Sequence, residues 1–250
     1  MAKGYMKDYR GRRLDSFQPG RDAGRFASYD ASILTQANGA NLSLWPDSGV
    51  SLQDLTNGNA ATQPTVNTNS LNGLRTVHFG ASSFIGKLDF GANFENGGAG
   101  YAQPLCIAAV YRISSAGSRA ANGALTGWVS PASSNRLSVQ VDTSGSVALV
   151  GSAAGAAGGK PVNDDQWHIT IAQFDTGSSS FYTDGYLVAA TNSQSHGTSV
   201  LRGFAIGAAA DGTAPLGLSD VAQVDVLSGR LNRLQIDEYS QYLAAKWGLS

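Results

Sequence analysis

Residues 219–250 change hydrophobic period within a few positions, and no other stretch constrains the fold as much. Ser219–Leu227 alternates, with Val221, Gln223 and Asp225 on one side and Ala222, Val224 and Val226 on the other. Period two over that length predicts a strand. Beyond it, Ile236, Tyr239, Leu243 and Trp247 recur at spacings of three, four and four. That spacing places all four on one helical face. Ser228 is the expected N-cap and Gly248 the expected C-cap. No other segment carries a helical period, so the chain reads as strands and loops closed by one docked helix.

The rest of the sequence reads as successive strands. Phe26–Asp30 opens the series and Asn41–Trp45 follows, ended by the Pro46-Asp-Ser-Gly49 turn. Arg75–Phe79 alternates, and Ser83–Phe90 is expected to pair nearby. Pro104–Ile113 is the longest apolar run and the expected central strand. Gly127–Ser130, Arg136–Asp142 and Ser146–Val150 form a meander turning at Asn135 and Ser144-Gly145. Gln166–Phe174 and Ser180–Asp184 form a hairpin, and Asp184-Gly185 leads into Tyr186–Ala190. Val200–Gly207 and Ser219–Leu227 complete the set. The Gly/Ala-rich stretches 91–100, 151–160 and 208–218 read as loops. The 31 glycines suit many short strands joined by turns. Two antiparallel sheets packed face to face, in jelly-roll style, satisfy this pattern.

Charge divides the chain unevenly. Residues 1–25 hold seven Lys/Arg and three Asp, whereas the whole chain is at −1. A basic arm therefore precedes a mildly acidic body. Tyr5, Tyr9, Leu14 and Phe17 interleave with the arm's charges without a regular period. The arm is either a solvated tail or a segment that orders on a partner, with aromatic anchors and arginine contacts. Its candidate contacts are Tyr9, Arg10, Arg12, Arg13, Leu14 and Phe17. Three acidic neighbours make a modest footprint for nucleic acid, which is not an expected partner. No run approaches the ~20 apolar residues of a membrane helix, and the N-terminus lacks the apolar core of a signal peptide. The single cysteine, Cys106, lies in an apolar run and reads as a buried thiol.

The residues also carry a resemblance. Trp45-Pro-Asp-Ser-Gly49, Leu55, Gln63-Pro64, Leu71-Asn-Gly73 and Val77-His-Phe79 resemble the opening of a concanavalin A-like, laminin-G-type jelly-roll domain. Gln166-Trp-His-Ile169, Phe174-Asp175 and Phe181-Tyr-Thr-Asp-Gly185 resemble that family's most recognisable hairpin. Ile206-Gly207, Asp220–Val226 and the ending from Glu238-Tyr239 to Gly248 follow. The resemblance covers residues 26–250 and leaves the arm, 1–25, outside. It implies an all-β fold: a two-sheet antiparallel jelly-roll sandwich with one C-terminal helix. The variant with a terminal Tyr-Leu-Ala-Ala-Lys-Trp-Gly helix is similar to domains of bacterial surface proteins and tailed-phage structural proteins. The expectation it implies is a non-enzymatic virion component, made in the host cytoplasm, displayed on the tail and anchored to other virion proteins by its arm. Such parts sit around a symmetry axis, so a homo-oligomer is expected. The alternatives are a capsid decoration protein and a module that binds host surface glycans.

Catalytic signatures are sparse. Glycosidases of this fold place two Glu and an Asp on one strand, where alternation brings the carboxylates to one face. This chain has two Glu, Glu95 in a Gly-rich loop and Glu238 in the helix. Asp164 and Asp165 are adjacent and read as turn residues. His78, His168 and His196 are scattered, and metal ligands come in clusters. Gly151–Gly155 lacks Ser at the middle of a nucleophile elbow. No P-loop or dinucleotide fingerprint occurs. The chain is therefore not expected to be an enzyme, and no cofactor is expected. Calcium at a loop rim is the one alternative, with Asp47, Asp54, Asp211 and Asp220 as oxygen donors. For a glycan, Trp167 and Trp247 read as core and Trp45 sits at a strand end. Trp128, between Gly127 and Ser130–Asn135, is the expected exposed platform.

Overall fold

The computed structural model describes residues 24–87, 101–115, 123–127, 137–150, 155–158, 161–190, 200–208, 215–217 and 219–249. Two antiparallel sheets dominate it. The first has strand order β14-β13-β12-β7-β16-β5-β4, with β1 also paired to β16. Its strands are β1 (Arg25–Asp30), β4 (Thr65–Leu71), β5 (Leu74–Phe79), β7 (Leu105–Ile113), β12 (Trp167–Phe174), β13 (Ser180–Thr183), β14 (Tyr186–Ala190) and β16 (Ser219–Ser228). The second has the order β11-β10-β9-β8-β15-β6-β3-β2. It comprises β2 (Leu44–Trp45), β3 (Leu55–Thr56), β6 (Ile85–Lys87), β8 (Gly123–Thr126), β9 (Ser138–Val141), β10 (Val147–Val150), β11 (Gly155–Gly158) and β15 (Phe204–Ile206). One helix, α1 (Arg233–Trp247), follows β16. The all-β sandwich with a C-terminal helix is as expected.

The inner faces of the sheets form the core. Tyr29 of β1 stacks on Phe204 of β15 at 5.7 Å and meets the edge of Trp45 at 6.4 Å. These rings, with Phe79, Leu55 and Ile85, are fully buried. Aromatic pairs of this kind add to the area they bury. Strand β7 lies in the middle of the first sheet, paired with β12 along one edge and β16 along the other. Buried on both faces from Leu105 to Tyr111, it reads there as an unbroken apolar run, and Arg112 interrupts it at the open end. Cys106 lies within it, fully buried, and desolvation pushes its thiol up to about 12.

Strand β16 changes partners midway. Ser219–Val221 pairs with β5, whereas Gln223–Leu227 pairs with β1. The register on β7 shifts between Val221 and Gln223. The shift is a β-bulge, and it breaks the alternation expected from the sequence. Val221 lies opposite Tyr111, but Asp220, Gln223 and Asp225 lie opposite Arg112, Val110 and Ala108. Directly opposed residues share a face, so these three polar residues project from the same side of the sheet, away from Val221.

The helix covers part of that side. Ile236, Tyr239, Leu243 and Trp247 are its buried residues, the four marked by the period. Burying each contributes about 2 kcal/mol. The N-cap is Asn232, not Ser228. Its side chain accepts from Gln235 N at 3.0 Å, and Gln235 Oε1 accepts from Asn232 N at 2.9 Å, a reciprocal capping box. Ser228 instead ends β16, donating from N and Oγ to Gly24 O. Gly248 ends the helix in the left-handed region, at φ 65. Polar groups line the seam below. Asp225 accepts from Tyr239 Oη at 2.5 Å and from Gln223 Nε2 at 2.6 Å. Gln223 Oε1 accepts from Lys246 Nζ at 2.6 Å and Trp247 Nε1 at 3.0 Å.

Several strand expectations need correction. Thr65–Leu71 is a strand that the sequence pattern does not mark, because Asn67, Asn69 and Ser70 interrupt its apolar residues. Its pairing with β5 slips between Asn67 and Leu71, where Asn69 takes a positive φ of 54°. Ile85–Lys87 pairs with β15 and β3 in the opposite sheet rather than beside Arg75–Phe79. The meander is present, but its first strand is Gly123–Thr126, and 128–136 lie outside the described residues. Residues 155–158, expected in a loop, form β11 beside β10. Small residues tolerate a sheet edge, and backbone pairing there leaves no side-chain signal. Arg25, the last residue of the expected arm, belongs to β1 and approaches Asp225 at 3.9 Å.

Candidate functional site

At one end of the first sheet the register aligns a row of polar and aromatic residues. Trp167 lies opposite Arg112, Arg112 opposite Asp220, and Asp220 opposite His78. The row therefore crosses β12, β7, β16 and β5 on the face that carries Gln223 and Asp225. The side chains meet. Arg112 donates to Asp220 Oδ2 from Nε at 3.1 Å and from Nη2 at 2.5 Å. Its guanidinium lies 5.5 Å from the centroid of the Trp167 ring, a cation–π distance. His78 Nδ1 is 3.0 Å from Asp220 Oδ1, and Asn67 Nδ2 approaches the same oxygen at 3.4 Å. Beside the row is a hollow of about 260 Å³, lined also by Ser114 and Asp165.

Charge in the row is set by these partners. Burial alone would raise the Asp220 carboxyl, but hydrogen bonds and charge from His78 and Arg112 outweigh it and hold it below the usual value. The hydrogen bond to Asp220 raises His78 in turn, although burial and Arg112 oppose it. The row thus presents flat groups: an indole, a guanidinium pinned by a carboxylate, and a half-exposed imidazole.

Trp167 also belongs to a larger cleft of about 430 Å³ between the start of β12, the β13–β14 turn and α1. Asp164, Gln166, Asp184, Asp237, Ser240 and Gln241 supply polar groups, with Ile169, Ala244 and Leu249 as apolar wall. The Asp184-Gly185 turn has φ of 51° and 80°, the type I′ conformation that fits a tight hairpin. It brings Asp184 to His168. His168 Nδ1 is 2.8 Å from Asp184 Oδ2, and Nε2 is 2.9 Å from Asp164 Oδ1. Asp184 Oδ1 also accepts from Ile169 N at 2.9 Å. Burial opposes charge on the imidazole, but the two carboxylates outweigh it and raise His168. With both ring nitrogens engaged, His168 ties the 160s turn to the hairpin and has no nitrogen left to move a substrate proton.

The expected site residues fare differently. Tyr9, Arg10, Arg12, Arg13, Leu14, Phe17 and Trp128 lie outside the described residues, as do Glu95, His196 and Asp211. Trp45 and Trp247 are fully buried. Trp167 is half-buried: it packs against the core, in part as expected, and also lines the cleft. Its strand position gave no warning, because alternation marks a face but not what covers it. Asp47 is buried and accepts from Ser28 N at 2.7 Å, Gly49 N at 2.7 Å, Gln53 N at 3.0 Å and the Ser51 hydroxyl. Asp54 accepts from Asp47 N at 2.9 Å. Both organise the 46–54 loop as Asx-type acceptors. Asp220 is engaged by Arg112 and His78. Among the described residues no three His, Cys, Asp or Glu side chains gather as a metal site. Asp164 and Asp165 are turn residues, as expected; Asp165 has a φ of 64° and accepts from Ser115. Among the described residues no helix is long and apolar enough to cross a membrane.

No known family profile matches this sequence, and no curated protein matches it. Solved structures do resemble the fold. A Trypanosoma rangeli sialidase in complex with 2,3-difluorosialic acid aligns over 98% of this chain and 36% of its own, with TM-score 0.57 and 15% identity. The same sialidase in complex with sialic acid aligns over 89% and 33%, with TM-score 0.56 and 16% identity. The binding domain of botulinum neurotoxin serotype D aligns over 91% and 54%, with TM-score 0.58 and 10% identity. The chain thus spans about a third of the sialidases and about half of the toxin domain. At these identities the likeness is one of architecture, and it does not establish enzymatic activity. What this chain shares with them is a two-sheet antiparallel sandwich.

Proposed function

We propose that this chain is a non-catalytic recognition module that binds saccharide on the surface centred on Trp167. The observation that carries the reading is the half-buried indole, set between the Arg112–Asp220–His78 row and a cleft walled by polar side chains. Sugars present an apolar ring face and a rim of hydroxyls, so a site needs a flat aromatic surface beside fixed donors and acceptors. The sheet register supplies both at low entropic cost, because Arg112, Asp220 and His78 hold one another in place. The similar fold in a sialidase seen with sialic acid and in a toxin binding domain is loosely in keeping with it.

Catalysis is not part of the reading. His168 is engaged at both nitrogens, the Cys106 thiol is buried and held protonated, and Arg112 and His78 hold the Asp220 carboxyl below its usual value. These groups offer neither an activated nucleophile nor a general acid near neutral pH.

A glycan array probed with the purified chain and with Trp167→Ala tests the proposal. Binding to a defined glycan that the variant loses, with unchanged folding by circular dichroism, supports it. Binding that survives the substitution places the site elsewhere, and release of sugar product from any bound glycan overturns the non-catalytic reading.

The setting we propose is a virion surface, where a recognition module serves as a tail-associated display or adhesion part. The net +4 of residues 1–25, with Tyr9 and Phe17 among the arginines, supports an anchoring segment for other virion proteins. Electron cryomicroscopy of native particles tests it. Density for this chain held by residues 1–25 supports the anchor; a chain found on no particle makes it a free glycan-binding protein.

A further inference from the structure

The cleft and the hollow adjoin at two places. Asp164 and Trp167 line the cleft, whereas Asp165 and Arg112 line the hollow. Asp164 and Asp165 are neighbours in the chain, and the Arg112 guanidinium lies over the Trp167 ring. The hollow is therefore the continuation of the cleft past the indole. Its volume of about 260 Å³ falls short of the ordinary range for a small-ligand site, whereas the cleft's, about 430 Å³, lies within it.

Both parts offer polar groups to a ligand. In the cleft the indole stands beside Gln166, Ser240 and Gln241, with Ala244 and Leu249 as apolar wall. In the hollow, Asp220 engages Arg112 Nε and Nη2 and His78 Nδ1. Among the described residues this leaves Arg112 Nη1 and His78 Nε2 uncommitted, both on partly exposed side chains. The mutual pairing fixes both groups before a ligand arrives, so little side-chain freedom is lost on contact. From Trp167 on β12 to His78 on β5 the row crosses three strand spacings, about 14 Å. A pyranose ring covers little more than one such spacing. A single sugar stacked on Trp167 therefore stops short of His78, whereas a chain of three or more reaches it.

We infer, resting on the saccharide-binding reading above, that cleft and hollow are successive subsites for one oligosaccharide chain of at least three units. Trp167 holds one ring, and the Arg112–His78 end of the row holds a ring farther along. Once the cleft is filled, contact in the hollow is intramolecular and adds affinity without a second association cost. A mono- or disaccharide gains the cleft alone. Selection is thus by chain length, and His78 is a contact that only the longer chains reach.

Calorimetry tests it with neutral β-1,4-linked oligomers of glucose and of N-acetylglucosamine, one to six units long, and with the same length series cut from any glycan that the array identifies. In a series that binds, the hexasaccharide should bind at least about tenfold tighter than the disaccharide, more than the extra binding registers of a longer chain supply. The affinity should level off once both subsites are filled. His78→Ala should weaken the hexasaccharide by about fivefold or more and leave the disaccharide unchanged. Gln241→Ala, on the helix, should weaken both. His78→Asn repeats the test if the alanine variant loses its fold by circular dichroism. Equal affinity from disaccharide to hexasaccharide, still lost in Trp167→Ala, overturns the two-subsite inference while the saccharide reading stands. So does a His78 variant that binds the hexasaccharide like the native chain or weakens both lengths alike. Absence of binding in every series, with glycan-array binding also absent, overturns the saccharide reading itself.

Discussion

Asp220 and Asp225 sit on the same face of the same strand, five positions apart, and are driven in opposite directions. Both are buried, at 5% and 0% exposure. Asp220 lies at the open end of β16, fixed by Arg112 and His78, and is held below the ordinary carboxylate value. Asp225 lies under α1. Desolvation raises it, and Arg25, Ser28 and Tyr239 only partly compensate. The comparison teaches that burial alone does not decide a carboxylate's state. The number and charge of the groups that the covering element supplies do. At the open end those groups are a guanidinium and an imidazole that half face solvent, which leaves a surface able to meet a ligand. Under the helix they are a phenol, an amide and a more distant guanidinium, which leave a seam that holds the helix down.

The largest expected effect follows from the closed end. Asp225→Ala strips Tyr239 Oη and Gln223 Nε2 of their acceptor in a dry seam and should cost about 3 kcal/mol in urea unfolding. Asp225→Asn keeps an acceptor oxygen, removes the poorly solvated charge and should cost much less. Equal losses for the two variants would break the contrast, because charge rather than hydrogen bonding would then be holding the helix. Asn232→Ala removes the capping box and should cost about 1 kcal/mol, whereas Ser228→Ala should leave helix content by circular dichroism unchanged. At the open end, Arg112→Ala should cost only about 0.5–1 kcal/mol, since its side chain is 39% exposed, yet it should weaken saccharide binding measurably.

Acid and base titration sharpen the comparison further. His78 and His168 are raised in the folded chain. Their contribution is complete below the unfolded histidine value and is lost as pH rises through their folded values. Asp220 is lowered, so its contribution is present above the ordinary carboxylate value and is lost as pH falls through its folded value. The row should therefore be most stabilising in the mildly acidic range between those limits. Melting temperatures across pH 4–9 check this: the gap between the native chain and His78→Gln should shrink as pH rises through the folded His78 value. A constant gap would mean that the imidazole packs without carrying charge. Asp225, raised instead, should oppose stability as pH climbs through its folded value, and Asp225→Asn should remove that part of the profile.

Much of this architecture was legible in the residues, and the site much less so. The helix face Ile236–Tyr239–Leu243–Trp247, the Asp184-Gly185 turn, the central β7 and the meander all follow from patterns confined to a few neighbouring positions. The cap moved from Ser228 to Asn232 because β16 runs one residue past the apparent period and Gln235 completes a capping box. The apolar strand sets Trp167 against the core, and what leaves it half open is the gap between α1 and the hairpin. That Asp164 and Asp165 are turn residues is legible in their adjacency. That Asp164 would reach His168 from one side while Asp184 reached it from the other was not readable from spacing.

What the sequence determined by itself is the set of local periods and turns: two for the strands, 3.6 for the terminal helix, and the positive-φ turn at Asp184-Gly185. These depend on backbone geometry within a few residues, so the order of amino acids suffices. The tertiary structure alone decided where β16 changes partner, which acids meet cations, and which indole faces solvent. Those outcomes join residues far apart in the chain. Asp220 meets Arg112 and His78 from 108 and 142 positions away, and Lys246 reaches Asp30 across 216. A carboxylate's charge and a tryptophan's exposure depend on such partners, because desolvation and Coulomb attraction act through space and not along the chain.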